Sequence, residues 1–165
     1  MARRHEAQTL PADSARSSQP NSGLFSVGYE GLTIDAFVRR MIDYGVSTVV
    51  DVRLTPASRR PGFSKRALSA ALADHAIEYV HEHDLGNPPE NRDAFRHGDV
   101  ELGKTRMRAR LENGSGDALL RLVNRARQEP VAVLCVEHAE ARCHRQVVTA
   151  MACEIEPKLA VRHIW

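Results

Sequence analysis

Thr48-Val49-Val50-Asp51-Val52 is β-branched at every position but one. It is apolar on both faces, as in a strand covered on both sides within a parallel sheet. A lone carboxylate, Asp51, interrupts the run. Upstream, Gly45 closes a segment in which Ile34, Phe37, Val38, Met41 and Ile42 recur at helical spacing, with Thr33 placed to cap it. Before that, Leu24-Phe25-Ser26-Val27-Gly28-Tyr29 reads as a first strand running into a glycine turn. Downstream, a loop from Arg53 to Phe63 carries Pro56, Pro61 and Gly62. Ser64 then opens a second helix with Leu68, Ala71 and Leu72, and Ile77-Glu78-Tyr79-Val80 forms a third strand.

The same alternation continues to the end. The chain is irregular from Asp84 to Pro89. Residues 99–112 read as a polar, basic helix with Lys104, Arg106, Arg108 and Arg110. Ser115 or Asp117 opens the next helix, with an apolar face of Leu119, Leu120, Leu122, Val123 and Ala126, and Pro130 stops it. Val131-Ala132-Val133-Leu134-Cys135-Val136 is the most strand-like segment of the chain. Cys143-His144-Arg145 starts a helix containing Val147, Val148, Met151 and Ile155, and Ala160–Ile164 supplies a last strand. Strands alternating with helices predict an α/β three-layer sandwich with a mostly parallel central sheet of about five strands.

Composition agrees with one domain. The chain has 165 residues, 42% hydrophobic and 27% charged. No apolar run approaches the roughly 18 residues of a membrane span. Residues 1–22 have almost no large apolar side chain and read as a disordered arm, leaving 23–165 as the folded domain. Arg3, Arg4 and Arg16 would allow that arm to touch nucleic acid. No apolar segment follows Arg3 and Arg4, so no secretory signal is expected. Cys135, Cys143 and Cys153 are too few for a disulfide scaffold, and a reducing, cytoplasmic setting is expected. A net charge of +2 permits a nucleic-acid partner without arguing for one.

In parallel sheets, sites form beyond the carboxyl ends of the strands. Polar residues gather there in this sequence: Gly28-Tyr29-Glu30, Asp51-Val52-Arg53, His81 with His83 and Asp84, and Cys135 with Glu137 and His138. Asp51 needs a partner inside its apolar strand. It is either ion-paired with Arg53 or Arg145, or an acid/base group. Arg142-Cys143-His144-Arg145 places cations at a helix start, which prefers anions. Either Glu137 and Glu140 neutralise them, or a bound phosphate, carboxylate or nucleotide does. In that setting Cys143 would have a lowered pKa. The Cys/His spacing matches no standard zinc pattern, so no metal and no cofactor are expected. In the stretch from Ser58 to Lys65, Ser58, Arg59, Arg60 and Lys65 could grip phosphates while Phe63 stacks a base.

These segments resemble the family called domain of unknown function 488. The matching stretches are Ser26–Gly31, Val50–Arg53, Ser58–Lys65, Tyr79, Leu85–Pro88, Leu134–Glu137 through Cys143-His144-Arg145, and Val161–Ile164. The resemblance implies an α/β fold with these polar residues clustered, and leaves the reaction open. Residues 90–117 are not aligned by it. Similarity to rhodanese-like domains is weaker, because the strand-end Cys135 lacks their glycine-rich anion loop. The resulting expectation is a hydrolase or group transferase acting on an anionic, phosphate-bearing or nucleotide-like substrate. Asp51, Glu137, Cys143 and His144 are the catalytic candidates. Tyr29, Arg53, Ser58, Arg59, Phe63, Arg145 and His163 are the substrate-binding candidates. Two other readings compete: a nucleic-acid module using the 58–65 loop and the 104–110 helix, and a structural domain whose cluster is an ion-pair network. No membrane partner is expected.

Overall fold

The computed structural model describes residues 22–165, and the expected arm of residues 1–22 lies almost wholly outside them. Five strands form one sheet: β1 (Gly23–Gly28), β2 (Thr48–Asp51), β3 (Glu78–His81), β4 (Pro130–Cys135) and β5 (Val161–Ile164). Their order is β3-β2-β4-β1-β5, and every pairing is parallel. The expected sandwich is therefore present, and its sheet is wholly parallel.

The helices divide between the two faces according to their apolar stripes. On one face, α1 (Ile34–Asp43) and α2 (Lys65–Ala73) bury Phe37, Val38, Met41, Leu68 and Leu72 with Val49, Ala132 and Leu134 of the sheet. On the other, α4 (Val100–Gly114), α5 (Gly116–Ala126) and α6 (Arg145–Ile155) bury Met107, Leu111, Leu122, Val123, Val148 and Ala152 against Val50, Val131 and Val133. Each fully buried side chain of this kind contributes about 1.5–3 kcal/mol. Thr33 caps α1 as expected, its hydroxyl accepting from the Ala36 amide at 3.2 Å. Gly45 follows α1 in the left-handed region (φ 66°). The cap expected from Ser64 makes no side-chain hydrogen bond, and the Ser115 hydroxyl instead donates to the Asp84 carbonyl at 2.7 Å.

The third strand starts one residue later than the sequence suggests, at Glu78, and Ile77 enters the core beneath it. One helix is new: α3 (Pro89–Arg96), which runs into the stretch that the resemblance leaves unaligned. Pro89 occupies its first turn, where the missing N–H costs nothing.

The strand order places the site. Chains leaving β1 and β2 cross by α1 and α2 on one face, whereas β4 exits to α6 on the other. The carboxyl end of β4 thus lies between two strands whose connections leave on the opposite face. Such switch points open a crevice at the sheet edge.

Candidate functional site

Cys135 ends β4, and the chain then passes over the end of β1. The Tyr29 and Glu30 amides donate to the Cys135 and Val136 carbonyls at 3.3 and 2.8 Å. Gly28 permits this crossing, because a Cβ there would stand 1.9 Å from the Glu137 carbonyl oxygen. A short 3₁₀ turn, Glu140–Arg142, brings the chain back, so that Cys143 faces Cys135.

Glu137, Cys135, Cys143 and His144 converge beneath this crossing. Both thiols donate to one carboxylate oxygen, Glu137 Oε2, at 3.1 Å from Cys135 and 3.2 Å from Cys143. His144 Nδ1 lies 3.8 Å from each Sγ. His144 Nε2 donates to the Val52 carbonyl at 2.9 Å. A carbonyl only accepts, so in the neutral ring the Nδ1 lone pair faces the two sulfurs. Cys135, Cys143 and His144 are all buried, and their donor atoms lie within 4.8 Å of one another.

Proton affinities in the cluster are interdependent. Burial pushes the Glu137 carboxyl up, and the neighbouring Cys135 thiolate adds to this. The two thiols ionise in well-separated steps. The hydrogen bond from Cys143 draws Cys135 well below the usual thiol range, with His144 assisting despite burial. Burial and the resulting Cys135 charge push Cys143 well above it. Burial lowers His144, but the Cys135 thiolate more than offsets this and the net shift is upward. The expectation of a low-pKa Cys143 at an open helix start is therefore corrected. Its sulfur is buried and points inward to Cys135 and Glu137.

Arg145 stands behind the cluster. It is 2% exposed and binds Ser26 Oγ (2.8 Å), the Glu137 carbonyl and the His138 carbonyl (3.1 Å). Its Nη1 lies 3.7 Å from Cys143 Sγ. No carboxylate pairs with it among the described residues.

A cavity of about 190 Å³ opens onto the cluster. Arg53 lines it on the side of β2, and Asn87, Phe95 and Thr55 line it with three further arginines, Arg92, Arg96 and Arg142. Arg142 donates to the Arg96 carbonyl at 2.9 Å and Arg92 to the Asn87 carbonyl at 3.4 Å. None of the three is in an ion pair among the described residues.

Asp51, Arg53, Tyr29, Ser58 and Phe63 form a second group, of which Arg53 also lines the cavity. Side chains alternate along β2, so Asp51 points away from Val50 and Val52, into the face covered by α1 and α2. It is 0% exposed and bound by the Arg53 amide (3.0 Å), the Arg53 guanidinium (Nε at 2.9 Å) and the Tyr79 hydroxyl (2.6 Å). Asp51 and Glu137 therefore face opposite sides of the sheet and do not form an acid/base pair. Arg53 also donates to Tyr29 Oη and the Phe63 carbonyl, at 3.1 and 2.8 Å. The Tyr29 hydroxyl reaches Ser58 at 3.2 Å. Phe63 is fully buried and stacked on Tyr29 (centroids 4.2 Å apart), so it presents no face to an incoming base. Arg59 is exposed on the loop. His163 Nδ1 lies 2.8 Å from a Glu140 carboxylate oxygen, near Trp165. On the basic helix, Lys104 pairs with Glu101 and Arg108 with Glu154, which balances much of its charge.

Residues 33–152 match the family model described as Domain of unknown function DUF488. The chain belongs to the DUF488 family. The DUF488 match runs from the cap of α1 into α6, so it contains the whole cluster and the cavity arginines. Tyr29 and β5 lie outside it. Comparison with curated proteins and with solved structures finds no match.

Arg92 and Arg96 enter the site on α3, a helix that the apolar spacing of the sequence does not predict. The helix-start signal of Pro88-Pro89 followed by arginines four residues apart was present. Cys135 was recognised as a strand-end residue, but its pairing with Cys143 depends on the return of the chain through the 3₁₀ turn.

Proposed function

We propose that this DUF488 protein is an enzyme, a hydrolase or group transferase, acting on an anionic small molecule that is phosphate-bearing or nucleotide-like. One observation supports this most directly. Three arginines without carboxylate partners surround a cavity whose inner wall is a carboxylate, an imidazole and two thiols. Arginine binds phosphate and carboxylate oxygens through paired N–H groups. Gathering three unpaired cations at one opening is unfavourable unless an anion answers them. The cavity is below the roughly 300–1,000 Å³ of a drug-sized site. It suits a phosphate, or the phosphate end of a longer molecule whose remainder lies outside.

In this reading Arg92, Arg96 and Arg142 hold the charged group. Glu137 is the acid/base residue, since it is the carboxylate lining the cavity. Asp51, Tyr29 and Phe63 support the loop behind the cavity, which Arg53 also lines. Turnover of a panel of phosphomonoesters, nucleotides and acyl phosphates tests the reading. Wild type should turn over at least one compound, Glu137→Gln should lose that activity, and Arg96→Gln should raise KM. Activity unaffected by Glu137→Gln would contradict it.

A further inference from the structure

The cluster contains more donor atoms than an acid/base site needs. We infer that Cys135 Sγ, Cys143 Sγ and His144 Nδ1 form a binding site for a single divalent transition-metal ion, zinc foremost, with Glu137 beside it.

Four observations point this way. The first is donor geometry. A tetrahedral ion with Zn–S near 2.3 Å and Zn–N near 2.0–2.1 Å holds sulfur and nitrogen about 3.6 Å apart. Both observed Sγ–Nδ1 separations are 3.8 Å. The second is the orientation of His144. Its Nε2–H is bound by the Val52 carbonyl, the arrangement that fixes the tautomer of metal-binding histidines and turns the other nitrogen to the ion. The third is that one carboxylate oxygen serves both thiols at 3.1 and 3.2 Å. It turns both sulfurs to one point, where an ion would displace the two thiol protons. The fourth is charge. A divalent ion, two thiolates and the adjacent Glu137 carboxylate total −1, and Arg145 is a buried cation beside Cys143 with no carboxylate partner among the described residues. The filled site and Arg145 together are neutral.

Two thiolates with one imidazole select zinc or a similar soft-to-borderline ion over magnesium or calcium, which take oxygen donors. The ligand spacing is also unusual: Cys135 and the pair Cys143-His144 fit no short Cys/His motif, so the sequence pattern conceals the set. The inference does not require the anion reading. It would hold for a chain that bound no substrate at the arginines.

Full-length protein purified under reducing conditions, with zinc in the growth medium, tests it by metal content. One zinc per chain is expected. Stripped protein reconstituted with cobalt(II) should show thiolate-to-metal charge transfer and tetrahedral d–d bands. Both Cys135 and Cys143 should resist alkylation in the metal-bound form, with Cys153 as internal comparison. Cys143→Ser should lower affinity beyond the roughly 10–100-fold typical of losses outside the ligand set. Glu137→Gln should retain the cobalt–thiolate band with weakened binding. Far-UV circular dichroism establishes that each variant is folded, and the wild-type measurements stand without the variants. Substoichiometric zinc in reduced protein, cobalt bound without a thiolate band, or a Cys135–Cys143 disulfide persisting in the zinc-supplemented protein would each overturn the inference.

Discussion

Replacing Asp51 with alanine separates a structural carboxylate from a catalytic one. Asp51 is completely buried and accepts hydrogen bonds from the Arg53 amide and guanidinium and from the Tyr79 hydroxyl. Arg53 is itself 4% exposed. Its other partners, Tyr29 Oη and the Phe63 carbonyl, are neutral. Asp51→Ala therefore leaves a buried guanidinium without a counter-charge, a change that costs about 3–5 kcal/mol. Domains of this kind are stable by only about 5–15 kcal/mol. At roughly 2–4 °C per kcal/mol for a chain of this size, the melting temperature should fall by about 6–20 °C. Urea denaturation followed by circular dichroism gives the free energy directly. Zinc and phosphate affinities, measured below the transition, should stay close to wild type, because Asp51 faces away from Glu137 across the sheet. An Asp51→Ala protein of wild-type stability that had lost ligand binding or turnover would refute this assignment.

Gly28→Ala should destabilise by about 1–3 kcal/mol and weaken zinc binding, because the added Cβ must displace the loop that carries Glu137; denaturation and metal titration check both. Arg92→Gln, Arg96→Gln and Arg142→Gln should each weaken phosphate binding by about tenfold or more, the scale of one charge-assisted hydrogen bond, with melting temperatures nearly unchanged. Tyr79 is held protonated above its ordinary 10.0 by burial and by its hydrogen bond to Asp51. Because the folded-state value is raised, this stabilisation is complete below about pH 10 and is lost as pH rises above it. Tyr79→Phe should remove that part of the alkaline stability loss, measured by denaturation between pH 8 and pH 11.

The fold was readable because its signals are local. The apolar run at Thr48–Val52 and the helical spacing of Ile34, Phe37, Val38 and Met41 each determine an element without reference to the rest of the chain. Parallel pairing follows from their alternation. The face on which a side chain lies is less accessible. Asp51 and Glu137 both sit at strand ends, and only the alternation along β2 and the exit of β4 send them to opposite sides. Phe63 appeared available for stacking because its neighbours Arg60, Pro61 and Gly62 are loop residues; in the structure it plugs the core against Tyr29. α3 escaped because its polar sequence, Pro89-Glu90-Asn91-Arg92-Asp93-Ala94-Phe95-Arg96, buries only Asn91 and Phe95 and carries almost no apolar period. Arg92 and Arg96 of the cavity were overlooked with it. The DUF488 match spans the site without assigning it a reaction.

Isothermal titration calorimetry with inorganic phosphate and with a nucleoside monophosphate, at low ionic strength, tests the central claim most directly. The account predicts saturable one-to-one binding to the wild-type protein that is lost in a folded variant combining Arg92→Gln, Arg96→Gln and Arg142→Gln. Absence of binding by the wild type, or equal binding by that variant, would contradict it.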